Sequence, residues 1–228
     1  MKPISRATFS AGVLVAALAG APAFAADVAA PALTAGDSWT YRHIDEYNHL
    51  DVGTVSRSVV SADARNIRFV SRSADGAVVD ERMLSGPGMV VSGMLSARAE
   101  GALQPALQMT PYPLREGEKW TQHVVRTDAL SKEQRPMEIR GKVIGWETVK
   151  VPAGEFRALR IERWINLADY DAFRGPTWRW ETEWYSPDVN GPVKVEVFEE
   201  YFDNRYAMPV NPMPWTRATF ELVSYKRG

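Results

Sequence analysis

From Trp39 onward the chain alternates. Trp39, Tyr41, His43, Asp45, Tyr47 and His49 share one side of an extended segment, with Thr40, Arg42, Ile44, Glu46 and Asn48 on the other. That period of two is the signature of a β-strand. A turn around Asp51-Val52-Gly53 predicts a second strand over 54–61, and further strands are predicted over 66–73 and 78–84, joined by an Asp75-Gly76 hairpin turn. Ser85-Gly86-Pro87-Gly88 breaks the chain before Met89-Val90-Val91. Residues 92–113 lack a clear period. A helical turn or two suits 96–103, and Pro105, Pro111 and Pro113 suit an irregular crossover.

Alternation then resumes over 120–127, 137–148 and 157–165. It continues through Trp178, Trp180, Thr182 and Trp184 set against Arg179, Glu181, Glu183 and Tyr185, then Val193, Val195 and Val197, and closes over 218–225. No long segment has apolar spacing of three to four, so the class is mostly β and antiparallel. About ten strands must curl or stack to bury one face.

Leu33-Thr34-Ala35-Gly36-Asp37-Ser38-Trp39-Thr40 returns as Leu114-Arg115-Glu116-Gly117-Glu118-Lys119-Trp120-Thr121. A glycine turn launching a Trp-anchored strand twice marks an internal repeat. The expected fold is therefore a curved antiparallel sheet, or an open or half barrel, built from two tandem β-meander repeats at about 35–112 and 113–228. Together they form a single β-domain over 35–228. Residues 26–34 read as a flexible lead-in.

The N-terminus reads as a signal peptide over residues 1–25. Lys2 and Arg6 precede an apolar run from Ala11 to Ala21, and Ala23-Phe24-Ala25 gives the cleavage pattern. The run is too short to span a bilayer, so the expected location is periplasmic or secreted, with no transmembrane anchor after cleavage. The full chain has 228 residues, a net charge of −1 and no Cys. Such a balance offers nothing to nucleic acid, and the absence of Cys removes disulfides, thiolate metal sites and a lipid-modified N-terminal cysteine. Eight Trp, eight Tyr and eight Phe must then supply much of the core.

Three stretches belong together. They are Pro113-Leu114-Arg115-Glu116-Gly117-Glu118-Lys119-Trp120; Val151-Pro152-Ala153-Gly154-Glu155-Phe156 with Arg160-Ile161; and Trp184-Tyr185-Ser186-Pro187 running through Gly191-Pro192-Val193-Lys194-Val195-Glu196 to Glu221-Leu222-Val223-Ser224-Tyr225. Over about residues 110–226 this order of motifs resembles an uncharacterised family of exported bacterial β-sheet proteins, a domain of unknown function. The resemblance implies a half-barrel fold like that of lipoprotein carriers and an envelope location. It brings no catalytic residues to carry over.

The candidate ligand-binding residues are Trp164, Trp178, Trp180 and Trp184, an aromatic concentration that suits either a core or a concave apolar surface, together with Arg179 and Lys194. Arg160, Glu162, Arg179, Glu181, Glu183, Lys194 and Glu196 otherwise read as a ladder of exposed cross-strand ion pairs. His43, Asp45 and His49 hold metal-type ligands, but the two histidines lie roughly 20 Å apart along a strand. His123 occupies the equivalent place in the second copy. Tyr206 to Trp215, rich in Pro and Met, suits a lid or a stiff surface connection.

No catalytic residue, metal site or cofactor is assigned, since no nucleophile elbow, zinc helix, phosphate loop or dinucleotide fingerprint occurs. Three functions follow in order. The first is a periplasmic protein sequestering a lipid or other hydrophobic or amphipathic molecule. The second is an envelope interaction or assembly factor. The third is an envelope polysaccharide enzyme using Glu181 and Glu183.

Overall fold

The computed structural model describes residues 27–205 and 212–228. The expected signal segment lies outside them, as does the 206–211 part of the Pro-rich stretch. Twelve strands follow one another: β1 (Ser38–Asp45), β2 (Leu50–Ala62), β3 (Ile67–Ser73), β4 (Val78–Gly86), β5 (Met89–Ser96), β6 (Ala99–Gln108), β7 (Lys119–Asp128), β8 (Gln134–Val151), β9 (Gly154–Asn166), β10 (Trp178–Ser186), β11 (Gly191–Tyr201) and β12 (Met213–Lys226). Each pairs antiparallel with its sequence neighbours, and β12 pairs with β1 to close the barrel.

Closure corrects the expectation of a curved sheet or an open or half barrel. Each residue of β1 is in register with both β2 and β12, from Ser38 opposite Ser58 and Lys226 to Asp45 opposite Leu50 and Ala218. An open sheet leaves a row of unpaired N–H and C=O groups along each edge, and joining first strand to last removes both edges.

The expected helical turn over 96–103 is also corrected. β5 and β6 form a hairpin, and Ala99, Gly101 and Leu103 are buried while Glu100 and Ala102 are exposed. The period of two was present, but Ala and Gly carried it. Beyond Gln104 the β6–β7 ladder stops, because Pro105 has no N–H to give. Side chains take over the seam. Gln122 Nε2 donates to the Ala106 carbonyl at 2.9 Å, and the Gln108 N–H donates to Gln122 Oε1 at 2.7 Å. The Trp120 indole donates to the Gln108 carbonyl at 3.0 Å.

The two glycine turns make matching bonds. Gly36 N–H donates to the Val59 carbonyl and Val59 N–H to the Asp37 carbonyl; Gly117 and Glu118 do the same with Val143, and all four distances are 2.9 Å. Both glycines have positive φ, +99° and +82°, which only glycine adopts without strain. The lead-in is tied down at Val28, which exchanges hydrogen bonds with Leu114 at 2.9 and 2.8 Å.

A twelve-stranded barrel is wider than one layer of side chains can fill. Much of this one is packed. Leu95, Leu103, Leu107, Val124, Met137, Ile139 and Ile165 from β5–β9 belong to one buried cluster, and Val143, Leu159 and Ile161 join Val28, Leu114 and Tyr185 in a second. Trp39, Tyr41, Val59, Phe69 and Leu84 of β1–β4 belong to the first cluster too, and the space left between β1–β4 and β10–β12 is hollow.

Candidate functional site: the barrel lumen

The hollow is an open cavity of about 680 Å³, walled by Tyr41, Val55, Val195, Val197 and Phe220. A deeper chamber of about 200 Å³, lined by Trp39, Phe69, Leu84 and Val90, adjoins it. Tyr41, Arg57, Arg82, Arg179, Pro192 and Val195 border both, so they form the neck between them. The larger chamber also touches Val52, Ala74, Asp75 and Val79, which are exposed, so it opens beside the β1–β2 and β3–β4 turns. At the far end the Trp39 indole donates to the Val189 carbonyl at 2.8 Å. That bond ties β1 to the 3-10 turn Pro187–Val189 between β10 and β11.

Alternation explains how charges come to face inward. On β10, Arg179, Glu181, Glu183 and Tyr185 line the lumen, so Trp178, Trp180 and Trp184 project from the opposite face. Arg163 of β9 reaches Glu181 at 2.8 Å and Glu183 at 2.9 Å, and also bonds the Met109 carbonyl at 2.6 Å and Thr110 Oγ1 at 3.0 Å. Arg179 reaches Glu181 at 2.7 Å, Glu199 at 2.9 Å and the Leu95 carbonyl at 3.0 Å. Burial alone would raise the Glu181 carboxyl, but Arg179 and Arg163 outweigh it and hold the pKa at about 2. A general acid needs a carboxyl that keeps its proton near neutrality. Glu181 is instead held ionised near neutrality by two guanidiniums, which suits a counter-ion rather than a proton donor.

At the neck, Arg82 pairs with Asp80 at 3.0 Å and donates to the Met94 carbonyl at 2.8 Å. Burial pulls its pKa below the usual guanidinium value, and the charges of Arg57 and Arg179 pull the same way against Asp80 and Glu181. Arg82 Nε and Asp80 Oδ1 are buried with no hydrogen-bond partner among the described residues. Arg57 lies over the Phe69 ring, 4.2 Å from its centre. Among the described residues no carboxylate lies within ion-pair distance of it.

The structure separates the six candidate residues. Arg179 alone lines the lumen. Trp164 and Trp180 sit in register on the outer face, with Trp180 opposite Phe198 as well. Trp178 packs edge-on against Phe202 at 5.0 Å and Trp180 lies 5.6 Å from Phe198. Trp184 is buried on that face, its indole donating to Glu147 Oε2 at 2.7 Å with Lys194 Nζ 5.0 Å from its ring. Of the expected ion-pair ladder, Arg160–Glu162 and Lys194–Glu196 are exterior pairs, whereas Arg179, Glu181 and Glu183 are interior.

The metal-type residues disperse. His43 stacks on Phe220 at 4.5 Å inside the lumen, and burial lowers its pKa. Asp45 instead caps the β1–β2 turn, accepting from the N–H groups of Tyr47 and Asn48. His49 takes left-handed backbone there, and exposed His123 faces Glu138 on the exterior.

Sequence reasoning missed Arg57, Arg82, Val195, Val197 and Phe220. The one available signal was alternation itself, since 55 and 57, 80 and 82, and 195 and 197 each share a face.

No helix among the described residues is long and apolar enough to cross a membrane. A membrane-spanning barrel needs an outward apolar band. Here Arg42, Glu221, Lys194 and Arg160 lie in one row around the exterior, with Arg42 and Glu221 ion-paired.

No family model and no curated protein matches the chain. Crystal structures of three bacterial proteins are similar to it. A candidate exported protein of Bacteroides fragilis with a YmcC-like fold is 14% identical, with a TM-score of 0.47 over 89% of this chain and 100% of its own. A candidate lipoprotein of Parabacteroides distasonis is 14% identical, with a TM-score of 0.44 over 85% of this chain and 96% of its own. The hypothetical lipoprotein YmcC of Escherichia coli K12 is 10% identical, with a TM-score of 0.44 over 83% of this chain and 84% of its own.

Proposed function

We propose that the protein works outside the cytoplasm, sequestering one hydrophobic or amphipathic small molecule in its barrel lumen. The observation that carries this reading is the open chamber of about 680 Å³, within the size range of small-molecule sites, roughly 300–1,000 Å³. Its make-up fits as well. Apolar walls from Val55, Val195, Val197 and Phe220 shield a guest from water, and a few charged groups fix its orientation. Tyr47, Leu50, Val52, Val78 and Val79 leave apolar surface exposed around the opening, where a hydrophobic guest would enter. Residues 1–25 supply the export signal, and sequencing the N-terminus of protein recovered from the cell envelope should read from Ala26.

Uptake of the neutral dye N-phenyl-1-naphthylamine tests the reading. Its fluorescence should rise with one saturable site per chain, and Val197→Trp should fill the chamber and abolish the rise while circular dichroism stays unchanged. No rise with the unaltered protein, or full uptake by a folded Val197→Trp variant, would overturn it.

A second reading, an envelope interaction factor, draws on the exterior row of Trp164, Trp180 and Phe198. It expects a protein partner that cross-links in cells through position 180, and loss of that cross-link on Trp180→Ser.

A further inference from the structure

We infer that the guest carries an anionic head group, a carboxylate or a phosphate, held at the neck of the lumen by Arg57 and Arg82, with its apolar tail in the outer chamber. This rests on the lumen reading above and names the class of molecule it takes.

Arg163 and Arg179 are spent on Glu181, Glu183 and Glu199. Asp80 pairs with Arg82, so four carboxylates stand against four guanidiniums, and Arg57 is the guanidinium that no carboxylate reaches within ion-pair distance among the described residues. Asp75 stands at the mouth and His43 lies on the wall beyond the neck. Arg57 is half-buried, and a guanidinium partly withdrawn from water without a counter-ion loses some of its solvation. Phe69 under Arg57 relieves part of that loss through its ring face. An anion in the chamber would give Arg57 the partner it lacks, and a planar guanidinium matches the oxygens of a carboxylate or phosphate.

Placement gives the orientation. Arg57 and Arg82 border both chambers, whereas Val55, Val197 and Phe220 border only the outer one. A head bonded at the neck therefore puts a single alkyl chain against Val55, Val197 and Phe220. The tail then points back toward the opening between the β1–β2 and β3–β4 turns. An inverted guest would leave its charge beside Asp75 at the mouth and Arg57 unmatched.

Displacement of N-phenyl-1-naphthylamine by four molecules of equal chain length reads this directly: dodecanoate, dodecyl phosphate, dodecanol and dodecyltrimethylammonium. Either anion should displace the dye at a concentration at least about tenfold below that needed for dodecanol, and the cation should be weakest. The better of the two anions identifies the head group. Arg57→Gln should erase the gap between dodecanoate and dodecanol while leaving dodecanol unchanged, and Arg57→Lys should keep part of it. Equal displacement by dodecanoate and dodecanol in the unaltered protein would overturn the inference and leave the lumen reading standing, whether or not a variant folds. An unchanged gap in a folded Arg57→Gln variant would overturn it too. If the dye never binds, both fall together.

Discussion

Arg163 and Glu181 stand opposite one another in register across β9 and β10, their guanidinium and carboxylate 2.8 Å apart in the barrel interior. Both side chains are almost wholly shielded from solvent, at 1% and 8% exposure. Glu181 also holds Arg179, so one carboxylate ties together two buried cations. Removing one member of such a pair strands the others, at about 3–5 kcal/mol. Glu181→Gln should lower unfolding stability by that amount in urea titration, while Glu162→Gln, on an exterior pair, should cost under about 1 kcal/mol.

Acid should reach the same network. Glu181 is depressed from its usual 4.5 to about 2 in the folded protein, so the unfolded chain binds its proton first as pH falls. The stabilisation is fully present above pH 4.5 and is lost between there and about pH 2. It amounts to about 3 kcal/mol. Stability measured across that window should fall steeply, and Glu181→Gln should flatten the fall.

The seam between β6 and β7 should be weaker than the seam between β8 and β9. Its ladder runs only from Gly101 to Gln104 on β6, against thirteen paired positions between β8 and β9. Gln122→Ala leaves the Ala106 carbonyl and the Gln108 N–H without their partner, a loss of about 1–3 kcal/mol. Hydrogen exchange should open β6 and β7 before β8 and β9. Equal protection at the two seams would count against this view.

Gly141 permits Trp120 to lie flat on the sheet, since a Cβ there would come within 2.2 Å of the indole. Gly141→Ala should push Trp120 off the Gln108 carbonyl, destabilise by about 1–3 kcal/mol, and shift the near-ultraviolet dichroism of tryptophan. An unshifted spectrum would show that the indole sits elsewhere.

Much of the strand pattern was legible because alternation is local. Residues 66–73 and 78–84 fall within a residue or two of β3 and β4, and the turns at Gly36 and Gly117 could be read from one glycine each. Closure could not be read. It depends on Ser38 meeting Lys226, which no local signal encodes. The direction of each face was hidden as well. Trp178, Trp180 and Trp184 alternating with Arg179, Glu181 and Glu183 define two faces without saying which is inside. Apolar-in is the usual resolution, but a barrel this wide can turn charges inward when each finds a partner, as Arg163 supplies for Glu181 and Glu183. Arg57 and Arg82 went unnoticed for that reason: in sequence they are ordinary charged strand residues.

The most direct test is where a guest makes contact. Dodecanoate titrated into isotopically labelled protein should shift the methyl resonances of Val55, Val195 and Val197 and the ring resonances of Phe220, while the indole N–H signals of Trp164, Trp178 and Trp180 stay in place. Shifts confined to those three indoles, with the lumen methyls unmoved, would contradict a guest inside the barrel.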